Sequence, residues 1–201
     1  STFLDMFGDP VTNPKGWEKK TLGEIIKFVG GTQPPKSTFS YEPGEDKVRL
    51  VQIRDFKTAK YKTYIPESLA KRPFEKDDVM VARYGPPVFQ ILKGLSGSYN
   101  VALMKADPVG KITKQFIFHL LSHPNVNSAV VAQSERTAGQ SGVNLKFLNN
   151  YPAYAPPLEL QQRFAEIVSS VEEQKAKMRK HLEQLDDLFA SLQQRAFRGD
   201  L

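Results

Sequence analysis

Acidic and basic side chains near the start of the chain are the first candidates for chemistry. Asp9, Glu18 and Lys20 are the residue types with which metal-dependent nucleases hold a metal ion and position a water molecule. The order of Asp9-Pro10 is reversed relative to that signature, and Trp17 beside Glu18 is typical of a packing anchor. These residues therefore do not predict nuclease activity.

Other patterns could indicate catalysis or metal binding, but each lacks its structural context. Residues 149–152 (NNYP) have the letters, but not the order, of the motif with which amino-methyltransferases hold a flipped base. Residues 94–98 lack the His and acidic partners of a serine nucleophile. The chain has no Cys and three scattered His, so a thiolate or histidine metal site is not expected. The sequence predicts a non-catalytic binding protein without metal or cofactor.

Positive charge is concentrated in the first part of the chain. Residues 1–157 hold 21 Lys and Arg against 14 Asp and Glu, whereas residues 158–201 hold 7 against 8. Between residues 47 and 76 there are nine cations and three acids. A basic run of this kind attracts polyanions, and a solvated basic face is the alternative.

The composition is that of a globular protein of ordinary domain size, with 201 residues of which 40% are hydrophobic and 25% are charged. No stretch approaches the ~20 apolar residues of a membrane span. The first residues lack the charged and then apolar order of a secretory signal. We therefore expect a cytoplasmic protein that does not enter a membrane.

Turn-forming residues divide residues 1–157 into short elements, which is typical of a mixed α/β domain. Apolar and β-branched residues predict strands over 48–53, 79–83 and 99–104. Apolar residues at three- and four-residue spacing predict helices over 112–121 and 126–138.

Residues 158–201 form a different kind of segment, because no Pro or Gly occurs between Pro157 and Gly199. This predicts one long helix. Its apolar residues form a seam at heptad positions a, d and e: Phe164, Ile167, Val168, Val171, Met178, Leu182, Leu185, Leu188, Phe189 and Leu192. About forty helical residues reach ~60 Å, so we expect the seam to pair with another helix rather than fold back on its own domain, which is the alternative. The predicted fold class is α+β: a mixed α/β domain followed by a single long coiled-coil-forming α-helix.

A series of motifs follows in a fixed order through nearly the whole chain. The series begins with residues 17–25 (WEKKTLGEI), 30–36 (GGTQPPK) and 48–55 (VRLVQIRD), and it continues at 77–85, 97–103, 142–148, 156–163 and 188–201. This order resembles the target-recognition domain of type I restriction-modification specificity (S) subunits, together with the spacer helix that follows such a domain.

The resemblance implies a subunit that performs no chemistry itself. Target-recognition domains of this family bind double-stranded DNA, and their spacer helices pair antiparallel and carry DNA adenine methyltransferase (M) subunits and, in restriction complexes, restriction (R) subunits. Residues 1–157 would be the recognition domain, 158–201 the spacer helix, and 1–12 the tail of a preceding spacer element.

The usual S subunit has two recognition domains and two spacer helices, whereas this sequence has one of each. We therefore expect a natural half-subunit or a C-terminal fragment of a longer protein. The helix would pair with a second copy, as an antiparallel homodimer that reads a palindromic, gapped DNA site, or with a second spacer helix.

Cations and planar polar side chains in the predicted loops are the candidates for DNA contact. Phosphate contacts are expected from Lys36, Arg54, Lys57 and Lys60. Arg suits guanine, and Gln or Asn suits adenine, so the candidates for base reading are Gln33, Arg83, Tyr84, Gln140, Ser141 and Asn144. For Arg83 and Tyr84 the alternative is a strand end that braces the turn at residues 85–87. For Asn144 the alternative is a helix N-cap.

Two other functions fit the same residues. The chain could be a scaffold that binds a protein partner through its long helix, with a basic surface that serves only solubility. It could also be a recognition domain severed from a fused restriction-methylation enzyme whose catalytic part lies outside this chain. The salt dependence of DNA binding separates the scaffold from the DNA-binding function.

Overall fold

The computed structural model describes residues 2–85, 87–137 and 140–199, with the backbone alone for 135–137, 140 and 141. The chain divides into two compact units, Ser1–Gln161 and Gln162–Leu201. The helices are α1 (Thr2–Phe7), α2 (Leu22–Ile25), α3 (Lys114–Ser122), α4 (Pro124–Ala132), α5 (Leu145–Asn150) and α6 (Leu158–Arg198). The strands are β1 (Glu18–Thr21), β2 (Ile26–Gly30), β3 (Lys47–Val51), β4 (Tyr64–Pro66), β5 (Pro73–Phe74), β6 (Met80–Ala82), β7 (Ile91–Leu92), β8 (Gly97–Tyr99), β9 (Leu103–Pro108), β10 (Glu135–Thr137), β11 (Gln140–Gly142) and β12 (Pro152–Ala155).

The strands of the first unit form small sheets. One four-stranded sheet has the order β2-β9-β6-β7 and is antiparallel throughout. The other has the order β4-β3-β8-β5, with β3 and β8 parallel and the remaining pairs antiparallel. The strands β1 and β12 form a two-stranded antiparallel sheet, as do β10 and β11. The predicted fold class, a mixed α/β domain followed by one long helix, is confirmed.

Three of the predicted elements are wrong in extent. The strand predicted over 48–53 ends at Val51, because a 3₁₀ turn begins at Ile53. The strand predicted over 99–104 is divided between β8 and β9, because Asn100 makes a turn in which its carbonyl accepts from the N–H of Leu103 (3.0 Å) and its Oδ1 accepts from that of Ala102 (3.2 Å). The helix predicted over 126–138 ends at Ala132. The hydroxyl of Ser134 bonds back to the carbonyl of Val130 at 3.2 Å, a local bond that competes with continuing the helix.

Two apolar clusters of described residues contribute to the core of the first unit. Val51, Phe74, Met80, Tyr99 and Leu103 are buried in one cluster that joins strands of both four-stranded sheets. The hydroxyl of Tyr99 donates to the carbonyl of Val29 at 3.0 Å. Burial of this kind supplies most of the favourable free energy of folding.

The second cluster anchors the beginning of the chain. The rings of Phe3 and Phe7 lie 5.8 Å and 5.1 Å from that of Phe116 on α3. The indole of Trp17 donates to the carbonyl of Phe7 at 2.8 Å, and the hydroxyl of Tyr154 donates to that of Gly8 at 3.0 Å. Helix α1 is therefore part of the core of the first unit.

Gln161 fixes the first turn of α6. Its side chain is fully buried, and its Oε1 accepts from the N–H of Thr113 at 2.9 Å. Its Nε2 donates to the carbonyls of Lys111 at 3.1 Å and Pro156 at 2.8 Å. Thr113 is the N-cap of α3, so one amide connects the beginnings of two helices.

The second unit is the rest of α6, which has 41 residues in all, as the uninterrupted pattern predicts. Among the seam residues, Phe164 is buried and Val168 is half-buried. Ile167 and the seam residues from Val171 onward are exposed, from 37% at Ile167 to 68% at Met178. Among the described residues, no helix is both long and apolar enough to cross a membrane.

Candidate nucleic-acid interface

The loop that carries Gln33 is fixed by backbone contacts. The N–H of Gly31 donates to the carbonyl of Leu103 at 3.0 Å, and that of Thr32 donates to Tyr99 at 3.3 Å. A Cβ at Gly31 would lie 2.0 Å from the carbonyl oxygen of Asn100, so only glycine fits there. Gln33 follows this anchor with an exposed side chain, as a residue that reads DNA requires.

Arg83 and Tyr84 follow the end of β6 and contact the hairpin formed by β10 and β11. The guanidinium of Arg83 lies 5.2 Å from the centroid of the Tyr84 ring. Tyr84 forms an antiparallel bridge with Gly142, and the carbonyl of Arg83 accepts from the N–H of Val143 at 3.0 Å. The structure thus brings Arg83 and Tyr84 against the strand that contains Gln140 and Ser141.

The side chains of Gln140 and Ser141 lie outside the described part of the chain. Their backbone forms β11, in which Gln140 pairs with Thr137 and Ser141 pairs with Arg136. Base contact by these residues therefore stays a prediction.

Two arginines from distant parts of the sequence, Arg72 and Arg83, lie near the end of β2. The Nε of Arg72 donates to the carbonyl of Gly30 at 3.0 Å. The Nη1 of Arg83 lies 3.9 Å from the position of a Cβ at the same glycine. Arg72 thus joins the base of the Gln33 loop, a placement that the sequence analysis missed because it depends on a contact across 42 residues.

Asn144 immediately precedes α5. The alternative role proposed for it, a helix N-cap, is confirmed. Its Oδ1 accepts from the N–H of Phe147 at 3.0 Å. This bond commits one of the side-chain groups that a base contact would use. Contact of Asn144 with DNA stays a prediction.

Arg54, Lys57 and Lys60 are exposed on the segment between β3 and β4. The segment begins with a 3₁₀ turn, in which the Asp55 carboxylate accepts from the N–H of Gln52 at 2.9 Å. Lys36 is likewise exposed on a short 3₁₀ turn after the Gln33 loop. These cations have the exposure that phosphate contacts require.

The acidic residues near the start of the chain, Asp9 and Glu18, make local contacts. The carboxylate of Asp9 accepts from the N–H groups of Val11 at 2.8 Å and Thr12 at 3.0 Å. The bond from Thr12 is the main reason that the pKa of Asp9 lies below its ordinary value. Glu18 pairs with Lys20 at 2.6 Å. The described residues include no group of three or more His, Asp or Glu side chains that could hold a metal ion.

An ion cluster connects β6 to α3 and β9. Lys114 lies 2.6 Å from Asp78 and 2.9 Å from Asp77, and Lys105 lies 3.9 Å from Asp78. Burial raises the pKa of Asp78, but hydrogen bonds from Lys114 and from the N–H of Glu75 outweigh it and hold that pKa below its ordinary value. The cluster thus joins the turn before β6 to α3 and β9.

Solved structures share this fold. A chain from a structure concerning complex assembly and conformational transition of the type I R-M system superposes with a TM-score of 0.64 and 22% identity, over 94% of this chain and 47% of that chain. The HsdS subunit from Thermoanaerobacter tengcongensis gives 0.62 and 22%, over 99% of this chain and 49% of its own. The type I restriction-modification S subunit from M. genitalium gives 0.56 and 16%, over 94% and 47%. The chain thus spans about half the length of these relatives.

The protein family follows from a comparison of the sequence with family models. No curated protein matches the chain. A family model described as the type I restriction modification DNA specificity domain matches residues 14–186, which include the Gln33 loop, Arg83, the β10-β11 hairpin and most of α6. On this match, the chain belongs to the family of type I restriction modification DNA specificity domains.

Proposed function

We propose that this chain is a non-catalytic specificity subunit that reads one half of a bipartite double-stranded DNA site. The observation that carries the proposal is the convergence of Arg72, Arg83 and the Gln33 loop at the end of β2, with the β10-β11 hairpin against Tyr84. Arginine beside an exposed amide, here that of Gln33, is a combination that discriminates bases in the major groove.

Phosphate contacts and base contacts are assigned to different residues of the site, according to where each residue lies. Lys36, Arg54, Lys57 and Lys60 supply charge for phosphates, which gives affinity without discrimination. Gln33, Arg83 and the hairpin residues supply the planar donors and acceptors that distinguish base pairs.

The test compares two substitutions against a library of random duplexes. Lys57→Ala should weaken binding to all duplexes and reduce the salt slope by about one unit, because one phosphate contact is lost. Gln140→Ala should change which duplexes are selected. Lys146→Ala, which removes an exposed charge on α5, is the matched control and should change neither. Unchanged selection and an unchanged salt slope in both test variants would refute this surface as the DNA site.

We further propose that α6 docks the protein partners. Its exposed apolar seam from Ile167 to Leu192 is the kind of surface that a second helix covers. The partner helix comes from a second copy in an antiparallel homodimer or from another spacer helix, and the paired helices carry M subunits and, in restriction complexes, R subunits. One copy would then contribute one half-site.

A further inference from the structure

A groove on the edge of the β4-β3-β8-β5 sheet combines aromatic and cationic side chains. It is open, has a volume of about 530 Å³, and is lined by residues 41–43, 59–62 and 64. We refer to these lining residues as the tyrosine–cation groove. Its volume lies within the range of small-ligand sites, ~300–1,000 Å³.

The aromatic rings of the groove are accessible. Tyr41 is 72% exposed and Tyr61 is 52% exposed, and Tyr64 also lines the groove. Two cations lie over the Tyr61 ring, with the guanidinium of Arg54 5.9 Å and the ammonium of Lys60 5.3 Å from its centroid. Positive charge therefore lies against a Tyr61 ring that is still half exposed.

Arg49 adds unsatisfied donors on the same face of the sheet. It lies directly opposite Tyr64 in the antiparallel pair of β3 and β4, so the two side chains share one face. The Nε and Nη2 of Arg49 are buried and have no hydrogen-bond acceptor among the described residues. These donor atoms have almost no accessible surface, so Arg49 adds positive charge near Tyr64 and not a direct contact for a ligand in the groove.

The groove carries more positive than negative charge. Lys60 and Lys62 line it together with Glu42, the acidic residue among the lining positions. Arg54 lies over the Tyr61 ring and 3.8 Å from Asp55. A phosphate would neutralise part of this charge, and a base would cover an exposed ring. An acidic peptide would satisfy the cations but would leave the ring faces without a matching surface.

We propose that the tyrosine–cation groove binds an unpaired nucleotide, with its base stacked on Tyr61 or Tyr41 and its phosphate held by Lys60 and Lys62. Stacking on aromatic rings beside a basic track is the chemistry by which proteins hold single-stranded nucleic acid. A base inside a duplex has no free face, so this contact is distinct from duplex reading. The inference rests on the proposed recognition of DNA.

The experiment uses the full chain and three probes. They are a fluorescein-labelled single strand, the same strand annealed to its complement, and a duplex with one bulged 2-aminopurine. Fluorescence anisotropy gives affinity, and quenching of 2-aminopurine reports stacking. Tyr61→Ala removes an exposed ring, Tyr61→Phe keeps it, and Lys146→Ala is the control outside the groove.

The expected result is single-strand affinity about tenfold weaker in Tyr61→Ala, with duplex affinity unchanged. Quenching at the bulge should disappear in Tyr61→Ala and persist in Tyr61→Phe and Lys146→Ala. Tyr41→Ala should show a smaller effect of the same kind if the base stacks between the two rings, and no effect if Tyr61 alone holds it.

Three results would overturn the inference. The first is unchanged single-strand affinity and quenching in both Tyr61→Ala and Tyr41→Ala. The second is an equal loss of duplex and single-strand affinity, which would make the groove a duplex contact. The third is Tyr61-dependent binding of an Asp- and Glu-rich peptide without Tyr61-dependent binding of the single strand. If the wild-type chain bound none of the three DNA probes, the proposed function itself would fail.

Discussion

At the scale of the residue, Gln161 shows how one buried amide fixes a helix start. Its three hydrogen bonds satisfy the N–H of Thr113 and the carbonyls of Lys111 and Pro156. Gln161→Met keeps most of the volume but leaves these groups unpaired. We expect the free energy of unfolding to fall by about 3 kcal/mol. Urea denaturation measures it, and Gln162→Met on the exposed neighbouring position should leave stability unchanged.

Asp78 gives a pH dependence with a definite sign. Its pKa in the folded chain is lower than its ordinary value, so it contributes stability at pH values above the ordinary pKa. That contribution is lost as the pH falls through the lowered pKa. We expect wild type and Asp78→Asn to differ in unfolding free energy at pH 7 and to converge as the pH falls below about 4. Urea denaturation from pH 7 to pH 3 tests this.

Asp77→Asn is the matched control for Asp78, since both carboxylates contact Lys114. The side chain of Asp77 is 73% exposed, against 8% for Asp78. Exposed pairs contribute little to stability, so its profile should follow that of the wild type. A constant difference between wild type and Asp78→Asn across the whole pH range would contradict the assigned origin of the effect.

Contacts between residues close in the sequence could be predicted from the sequence, whereas contacts between residues far apart in it could not. The N-cap role of Asn144 could be anticipated because its partner, Phe147, lies three residues away. Arg49 and Arg72 were not singled out as contacts, because their environments depend on Tyr64 and Gly30. No periodicity relates residues that meet only through the pairing of strands.

At the scale of the element, α6 is the part that periodicity predicts best. The absence of Pro and Gly over 158–198 and the continuous apolar seam both favour one helix, and the structure has it. The β10-β11 hairpin was missed because three-residue strands carry almost no pattern of their own. These two segments are strands because they pair with each other and because Gly142 forms a bridge with Tyr84.

The seam of α6 gives a prediction for self-association. Leu185 is 61% exposed. If the seam pairs two copies, light scattering should give about twice the chain mass of 22.6 kDa. Leu185→Glu places a carboxylate in the paired seam and should raise the dissociation constant by about 100-fold or more.

Ala190→Glu is the control for Leu185→Glu, because it adds the same charge at heptad position f, opposite the seam. It should leave the dimer intact. A monomer for the wild type at all concentrations would mean that the seam pairs with a different spacer helix. Equal effects of both variants would mean that charge, not the seam, controls association.

At the scale of the whole molecule, positive charge and the exposed apolar seam lie in different parts of the chain. Residues 1–157 carry a net charge of +7 and residues 158–201 carry −1. If two copies pair, a duplex with two inverted half-sites at the right spacing should bind about 100-fold more tightly than one half-site, because the second contact becomes intramolecular.

Leu185→Glu should abolish that advantage while leaving affinity for a single half-site unchanged. Anisotropy titrations on duplexes with one and two half-sites, taken from the selection experiment, measure both quantities. Equal affinity of the wild type for both duplexes would contradict cooperative reading by a dimer. Loss of single half-site affinity in Leu185→Glu would show that the helix also affects the recognition domain.

Backbone groups anchor the Gln33 loop and the segment that follows the β10-β11 hairpin. Gly31 and Thr32 bond to carbonyls of Leu103 and Tyr99, and Val143 bonds to that of Arg83. These bonds join backbone groups, so they do not depend on which side chain stands at position 33. A substitution at this position can therefore leave the scaffold intact, provided that Gly31 is kept. If the side chain at position 33 reads DNA as proposed, a single substitution there would change the target sequence at no cost in stability.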